Sequence, residues 1–320
     1  MRGFRHEDDI CRVLADANLA QYERQILATV KPAIEFVRRQ KPDKSLALGA
    51  SKIGGCPDIP KRMAWPTRPS WSPSPGIVES VKYNGSLYSS LWRRAVSKVF
   101  PLAFFAQLDL DVMALQAGFD IDLPDRGMLY VFEDITAAGA DEAYQILYIN
   151  DAIDLVRHDP PEELITLSDA KDPSLPFAEQ QMCEALEPYS LLTIPNHWLN
   201  SPVVNRSAMW SVLKHSNTAD IASVDEVTDK NTAPFGDRLG GWPEPIQQDP
   251  EVGFRRDRSR YFEPGDDEVR HLFSWAGEYF SGTGLMHHDL SGDGATYLMM
   301  RREDLLARRF EAVTAVYQCT

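Results

Sequence analysis

Positive charge is scarce in this sequence. Against 47 Asp and Glu there are 33 Lys and Arg in 320 residues, a net charge of -14. Nucleic-acid binding needs clustered cations that release counterions from phosphates, so this balance argues against a nucleic-acid partner, and against an anionic membrane surface. Cysteine is also sparse. Cys11, Cys56, Cys183 and Cys319 lie far apart with no CxxC pair, which excludes a zinc ribbon and a redox dithiol and suits a reducing compartment. No run approaches the ~18 apolar residues of a membrane span. The charged stretch Met1 to Asp9 leads into an amphipathic pattern rather than the apolar core of a secretory leader. A cytoplasmic protein is expected. Also missing are a Gly-x-Ser-x-Gly elbow, a phosphate-binding Gly-x-x-x-x-Gly-Lys and a dinucleotide fingerprint. No cofactor is therefore expected, and catalysis loses its usual signatures.

What the chain does have is a turn written twice. Ser51-Lys52-Ile53-Gly54-Gly55-Cys56-Pro57-Asp58 returns as Asp237-Arg238-Leu239-Gly240-Gly241-Trp242-Pro243-Glu244. Each copy reads base, branched apolar residue, Gly-Gly, one variable residue, Pro, acid. Downstream, Phe104–Leu110 is echoed by Leu272–Phe280, and Gly127–Phe132 by Gly294–Met299, in the same order. With 43% hydrophobic residues and a length suited to two cores, the expectation is an α+β fold, internally duplicated, with two related sheet-containing halves packed together behind an N-terminal helical segment. The segments are 1–44 (helical), 45–158 (first half), 159–233 (connection) and 234–320 (second half).

Along the chain, the apolar rhythm from Ile10 through Ile34 and Val37 predicts one helix or two across residues 8–40, capped by Asp8 and Asp9 and broken near Asn18 or Pro32. Trp65 to Gly76, with four prolines, reads as an extended loop. Leu87 to Val99 predicts a helix. Strands are predicted at 102–110, 128–132 and 143–149, the last after the small-residue turn Ala137-Ala138-Gly139-Ala140. Residues 159–180 read as a surface connection, Met182–Leu186 and Ser207–Leu213 as short helices, and the stretch holding Asp225, Glu226, Asp229 and Lys230 as a solvated loop. Arg255, Arg256, Arg258 and Arg260 form a dense basic run, either solvated or an anion contact. Asp304 is expected to cap a final helix that turns Leu305, Leu306, Phe310, Val313 and Tyr317 inward.

The candidate binding residues belong to the repeated turns: Lys52 with Arg238, Asp58 with Glu244, and the amides Gln107 and Gln247 in apolar surroundings. A buried amide must find partners or lose ~1–3 kcal/mol, so Gln107 bonds a neighbouring loop or a ligand. Matched opposite charges either pin each turn to its own half or line a shared polar cleft. His287, His288 and Asp293 are the metal candidates by residue type. Adjacent histidines on a strand would point to opposite faces. Cys56 faces Trp242 in the alignment of the turns, which makes it a packing position.

The combination Ser51-Lys52-Ile53-Gly54-Gly55 with Pro57 and Pro60, Phe105-Ala106-Gln107-Leu108-Asp109, Gly127-Met128-Leu129-Tyr130, Gly240-Gly241-Trp242-Pro243-Glu244-Pro245-Ile246-Gln247 and Gly292-Asp293-Gly294 resembles the YwqG-like family of bacterial proteins, a domain of unknown function. The likeness runs over roughly residues 46 to 318 and departs from the family at Gly277-Glu278 and across 160–232. It implies a duplicated α+β fold in a cytoplasmic bacterial protein and supplies no reaction. By association it also suggests an immunity-like role. The expected function is therefore that of a non-catalytic binding protein meeting a basic protein, such as a toxin, through an acidic surface or inter-lobe cleft. The alternative is a hydrolase or metal-dependent enzyme working in that cleft.

Overall fold

The computed structural model describes residues 3–137, 143–174, 176–177, 182–216, 237–247, 249–254, 268–276 and 294–319. Its strands are β1 (Lys31–Pro42), β2 (Lys52–Ile53), β3 (Asp58–Pro60), β4 (Thr67–Arg68), β5 (Phe100–Pro101), β6 (Ala103–Asp109) and β7 (Met128–Glu133). They continue with β8 (Tyr144–Ile149), β9 (Leu155–Arg157), β10 (Met182–Thr193), β11 (Asp237–Gly240), β12 (Val269–Ala276), β13 (Gly294–Arg301) and β14 (Thr314–Cys319). Ten of these make one antiparallel sheet in the order β14-β13-β12-β11-β1-β10-β2-β6-β7-β8, while β3 pairs with β9 and β4 with β5. The long pair β1 and β10 forms the middle of the sheet. Four strands from the earlier part of the chain flank one side of that pair, and four from the later part flank the other.

β1 and β10 pair from Lys31↔Thr193 to Pro42↔Met182. Leu186 and Leu192 donate their amides to Ser51 O and Phe4 O, so the even-numbered residues of β10 aim their N–H groups away from β1. Pro188 falls in that series. Because β2 meets β10 only at Glu184 and Ala185, the missing proline donor lies on an unpaired edge and leaves no ladder bond broken.

The sheet curls until its wings meet. Phe105 of β6 lies 4.4 Å, centroid to centroid, from Trp275 of β12, Tyr144 of β8 lies 5.2 Å from Trp275, and Tyr148 lies 5.3 Å from Phe310. The inner face is a single core containing Ile34, Phe36, Ile53, Leu239, Phe273 and Leu298. On the outer face, helices Glu7–Asp16 and Arg206–Ser216 bury Ile10, Leu14, Met209 and Val212. Helices Ser86–Val96 and Glu162–Lys171 bury Trp92, Leu164 and Leu167.

The helix predicted at 87–99 forms at Ser86–Val96, the strands predicted at 102–110, 128–132 and 143–149 form at Ala103–Asp109, Met128–Glu133 and Tyr144–Ile149, and the helix predicted at 207–213 forms at Arg206–Ser216. Elsewhere the structure differs. Helix Glu7–Asp16 forms with His6 as its N-cap rather than Asp8 or Asp9, and Asp9 reaches back to accept from the amides of Arg5 and His6 at 3.2 Å each. Residues 31–42 are a strand, not a helix. Ile34, Phe36 and Arg38 alternate onto the inner face, and pairing along the whole of β10 outweighs the helical spacing. For the same reason Met182–Leu186 is the start of β10 rather than a helix. The 159–180 connection contains the helix Glu162–Lys171, whose Leu164 and Leu167 pack under Trp92. The final helix is a single turn, Arg302–Leu306. Asp304 lies inside it and binds Arg309 at 2.6 Å, Leu306 is exposed, and residues 314–319 form the edge strand β14. Ala138 to Ala140, Asp225 to Lys230, the arginine run 255–260, and Gly277 and Glu278 lie outside the described residues.

Candidate functional site

Side chains alternate across a strand. Ile53 and Leu239 enter the inner core, so their neighbours Lys52 and Arg238 face outward, each beneath its own Gly-Gly turn. Gly54, Gly55, Gly240 and Gly241 all have positive φ. A Cβ on Gly55 would lie 2.5 Å from the Asp43 side chain, and one on Gly241 would lie 2.5 Å from the Ala33 Cβ. These contacts explain the glycines: the backbone must turn left-handed and press against β1 and its extension.

Around the first turn, Lys52 Nζ donates to Asp43 Oδ1 and to the Cys56 carbonyl, both at 2.6 Å, and sits 3.7 Å from Asp58. Arg157 of β9 donates to Asp58 Oδ1 at 2.8 Å and also bonds the Asp43 carbonyl. Gln107 of β6 accepts from the Asp58 amide and donates to Asp58 Oδ2, both at 2.9 Å, and donates to Ala50 O at 2.8 Å. Lys52, Asp58 and Gln107 are fully buried. Burial pushes the Asp58 carboxyl up, but the Arg157 hydrogen bonds, the Lys52 charge and the Gln107 bond outweigh it and hold the group below the usual range. Burial, with Asp43 adding, raises the Cys56 and Cys183 thiols to about 12. Neither is a thiolate nucleophile near neutrality.

Around the second turn, Arg238 donates to the Trp242 carbonyl at 2.8 Å and lies 3.5 Å from Glu35 and 3.6 Å from Glu244. Trp242 N–H donates to Thr193 Oγ1 at 2.9 Å, as Cys56 N–H donates to Asp43 at 3.1 Å in the first turn. The correspondence extends to the tyrosines. Tyr130 donates to the Asp58 carbonyl and Tyr297 to the Glu244 carbonyl, each at 2.6 Å. His271 Nδ1 bonds the Gly240 carbonyl at 2.9 Å, so Nδ1 carries the proton and Nε2 is an acceptor. Burial lowers the His271 pKa to about 3, keeping the ring neutral. Glu244 moves the other way, raised to about 8 by burial, with Arg238 pulling it down and Glu35 pushing it up. One guanidinium thus lies between two buried carboxyls, and below about pH 8 Glu244 keeps its proton.

These residues form two nodes rather than one cleft. Lys52 pairs across β10 with Ala185, which is opposite Arg39, whereas Arg238 pairs with Glu35. The nodes are therefore three strand spacings, about 14 Å, apart across the sheet and about 13 Å apart along it. Lys52, Asp58 and Gln107 share the first node, and Arg238 and Glu244 the second. Gln247 is exposed and lies outside both nodes, its backbone amide donating to Gln318 Oε1 at 3.1 Å. Gln107 thus bonds a loop, one of the two outcomes expected of it. His287, His288 and Asp293 lie outside the described residues.

Asp43, Glu35, Arg157, Thr193, Gln318, Tyr130 and Tyr297 were not singled out from the sequence. Only the tyrosines had left a signal there, as the third residue after Gly127 and Gly294 in two echoed strands. The acids and Arg157 come from strands and loops with no counterpart in the repeated turn. In both nodes the polar groups mainly bond one another and the turn carbonyls, which is the chemistry of a brace.

The chain belongs to the family described as Domain of unknown function (DUF1963), whose match spans residues 51–319. No curated protein matches it. Among the described residues no helix is long and apolar enough to cross a membrane.

Proposed function

We propose that this member of a family of unknown function is a non-catalytic, cytoplasmic binding protein that meets a basic protein partner through an acidic surface, in the manner of an immunity protein. The residues of the two turn nodes brace the scaffold, and the contact surface is the loop 109–126. The YwqG-like resemblance and a duplicated origin for the two halves belong to the same reading. The palindromic strand order, the matched Gly-Gly turns and the matched tyrosine bonds support them.

One observation carries the contact surface: Ile121 is 93% exposed while both its neighbours are tied down. Asp122 is bound by Arg270 at 2.7 Å and by Arg302 at 2.7 Å, and Asp120 lies 3.9 Å from Arg270 while accepting from the Asp122 amide. The backbone therefore holds Ile121 outward. Leu115, 82% exposed, belongs to the same loop, which contains Asp109, Asp111, Asp120, Asp122 and Asp125 and the single base Arg126. Arg270 and Arg302 neutralise Asp122, so the acidic character of the loop rests on the exposed Asp111 and Asp125, and apolar side chains held beside them suit a partner that offers Lys and Arg around an apolar patch.

The test is capture of the basic products of neighbouring genes by the intact chain at low and high salt. A salt-sensitive partner whose affinity falls at least tenfold with Ile121→Lys is the expected result. Absence of such a partner, or binding indifferent to Ile121→Lys, overturns the reading.

A further inference from the structure

The acidic loop 109–126 has a counterpart on the same chain. From Lys61 to Lys98 the sequence carries seven basic residues and one acidic residue, Glu79, within a protein of net charge -14. That stretch folds as a unit: the short strand β4, a helix Pro75–Val81 and the helix Ser86–Val96, held to the sheet by Arg68 on Asp134 at 2.7 Å and Trp65 on the Leu102 carbonyl at 2.7 Å. Its outer side presents Tyr83, 87% exposed, and Leu87, 64% exposed, and Arg93 and Arg94 are exposed in the last turn of the second helix. Three bases of this unit are already paired, Arg68 with Asp134, Lys82 with Glu79 and Lys98 with Glu163 at 3.0 Å. Arg93 and Arg94 make no ion pair among the described residues.

The placement of the two patches matters as much as their charge. β6 runs from Ala103 to Asp109 and β7 returns from Met128 to Glu133. The basic unit joins at the end bearing Ala103 and Glu133, and the acidic loop joins at the end bearing Asp109 and Met128. They lie a full strand length apart, roughly 20 Å at 3.4 Å per residue, at opposite ends of one wing of the sheet. Patches of opposite charge, each centred on exposed apolar side chains and placed at opposite poles, cannot meet within one molecule but can meet between two.

We propose that the chain associates with itself head to tail, the 109–126 loop of one copy docking on the 61–98 unit of the next. Ile121 and Leu115 cover Tyr83 and Leu87, and Asp111 and Asp125 approach Arg93 and Arg94. The contact is heterologous, so it repeats along an open row unless the rotation between copies closes a ring. Acting through charge around a small apolar centre, it is salt-sensitive. The inference rests on the loop being a contact surface, and it names a partner for that surface.

Sedimentation of the intact chain over a range of concentrations tests it. The expected result is mass that grows with concentration at low salt and returns to the 36.1 kDa monomer at high salt. Arg93→Glu with Arg94→Glu, or Asp111→Lys with Asp125→Lys, should each weaken association at least tenfold. The deciding arm mixes these two variants. The two reversed patches complement each other as the original ones do, so the mixture should regain the growth with concentration that each variant alone has lost.

A chain monomeric at every concentration in low salt overturns the proposal, as does association that ignores both reversals or a mixture that stays monomeric. If the wild type is monomeric yet its loop still captures a foreign basic protein, only this inference fails. If the chain associates through the 61–98 unit while loop variants associate equally well, the loop reading fails instead.

Discussion

Arg270 and Asp122 join the two wings of the sheet. The guanidinium of Arg270, on β12, meets the carboxylate of Asp122, in the loop after β6, at 2.7 Å, and both side chains are buried. Arg302 binds the same carboxylate and Arg308 its carbonyl at 2.8 Å, so three arginines from the last part of the chain converge on one residue of the first. The Arg302 and Arg270 hydrogen bonds lower the Asp122 pKa to about 2 against the cost of burial.

Asp122→Ala should cost about 3–5 kcal/mol in urea unfolding, because it takes the nearest anion from the buried Arg270 guanidinium. A depressed carboxylate pKa stabilises the fold above the ordinary value near 3.8, and the contribution disappears as pH falls toward about 2. The wild type should therefore lose stability across that window more steeply than the variant. Equal acid sensitivity in the two proteins would contradict this.

Glu244 has the opposite sign. Its folded pKa of about 8 lies above the usual value, so its stabilising effect is complete below pH 4.5 and is lost as pH rises toward 8. Glu244→Gln should flatten the decline between about pH 5 and pH 8 while leaving stability at pH 5 nearly unchanged. Thermal melts at pH 5, 7 and 9 would show it.

Tyr130→Phe and Tyr297→Phe should each cost about 1–3 kcal/mol, since each leaves a buried turn carbonyl without its donor. With the nodes well separated, the double variant should show the sum to within about 0.5 kcal/mol. A large departure from additivity in denaturant unfolding would mean that the two turns are coupled after all.

Lys52→Met should be more damaging than either tyrosine change, at about 3–5 kcal/mol, because it takes from Asp43 its closest cation and removes the donor to the Cys56 carbonyl. Adding Asp43→Asn should recover part of that loss, and an unchanged double variant would show that Asp43 is not the injured partner. The two variants compared by chemical denaturation supply the answer.

Much of the local structure was legible in the sequence. The turns at Gly54-Gly55 and Gly240-Gly241 were evident because a left-handed backbone against a packed strand admits little but glycine, and that demand leaves a mark wherever it occurs. The pairing of Lys52 with Arg238 and of Asp58 with Glu244 could be read from spacing alone. β6 and β7 were legible as near-continuous apolar runs, because both faces of those strands are covered, and Gln107 stood out as the polar exception.

The tertiary structure decided which periodicity prevailed and which distant groups met. Residues 31–42 carry a helical rhythm and an alternating one together, and the partner strand β10, about 150 residues away in sequence, selects the second by completing its hydrogen bonds. The same long-range pairing places Lys52 and Arg238 on separate stretches of the sheet, which decides for two braces where the spacing left a brace and a shared cleft both open. Asp43, Glu35 and Arg157 find their partners only through chain folding, so no spacing could announce them. Ile121 looked like any loop isoleucine until Arg270 and Arg302 held its neighbour Asp122. Composition and short-range pattern determine what a segment can do, and charge pairing and strand register between remote segments determine which of those possibilities the folded molecule keeps.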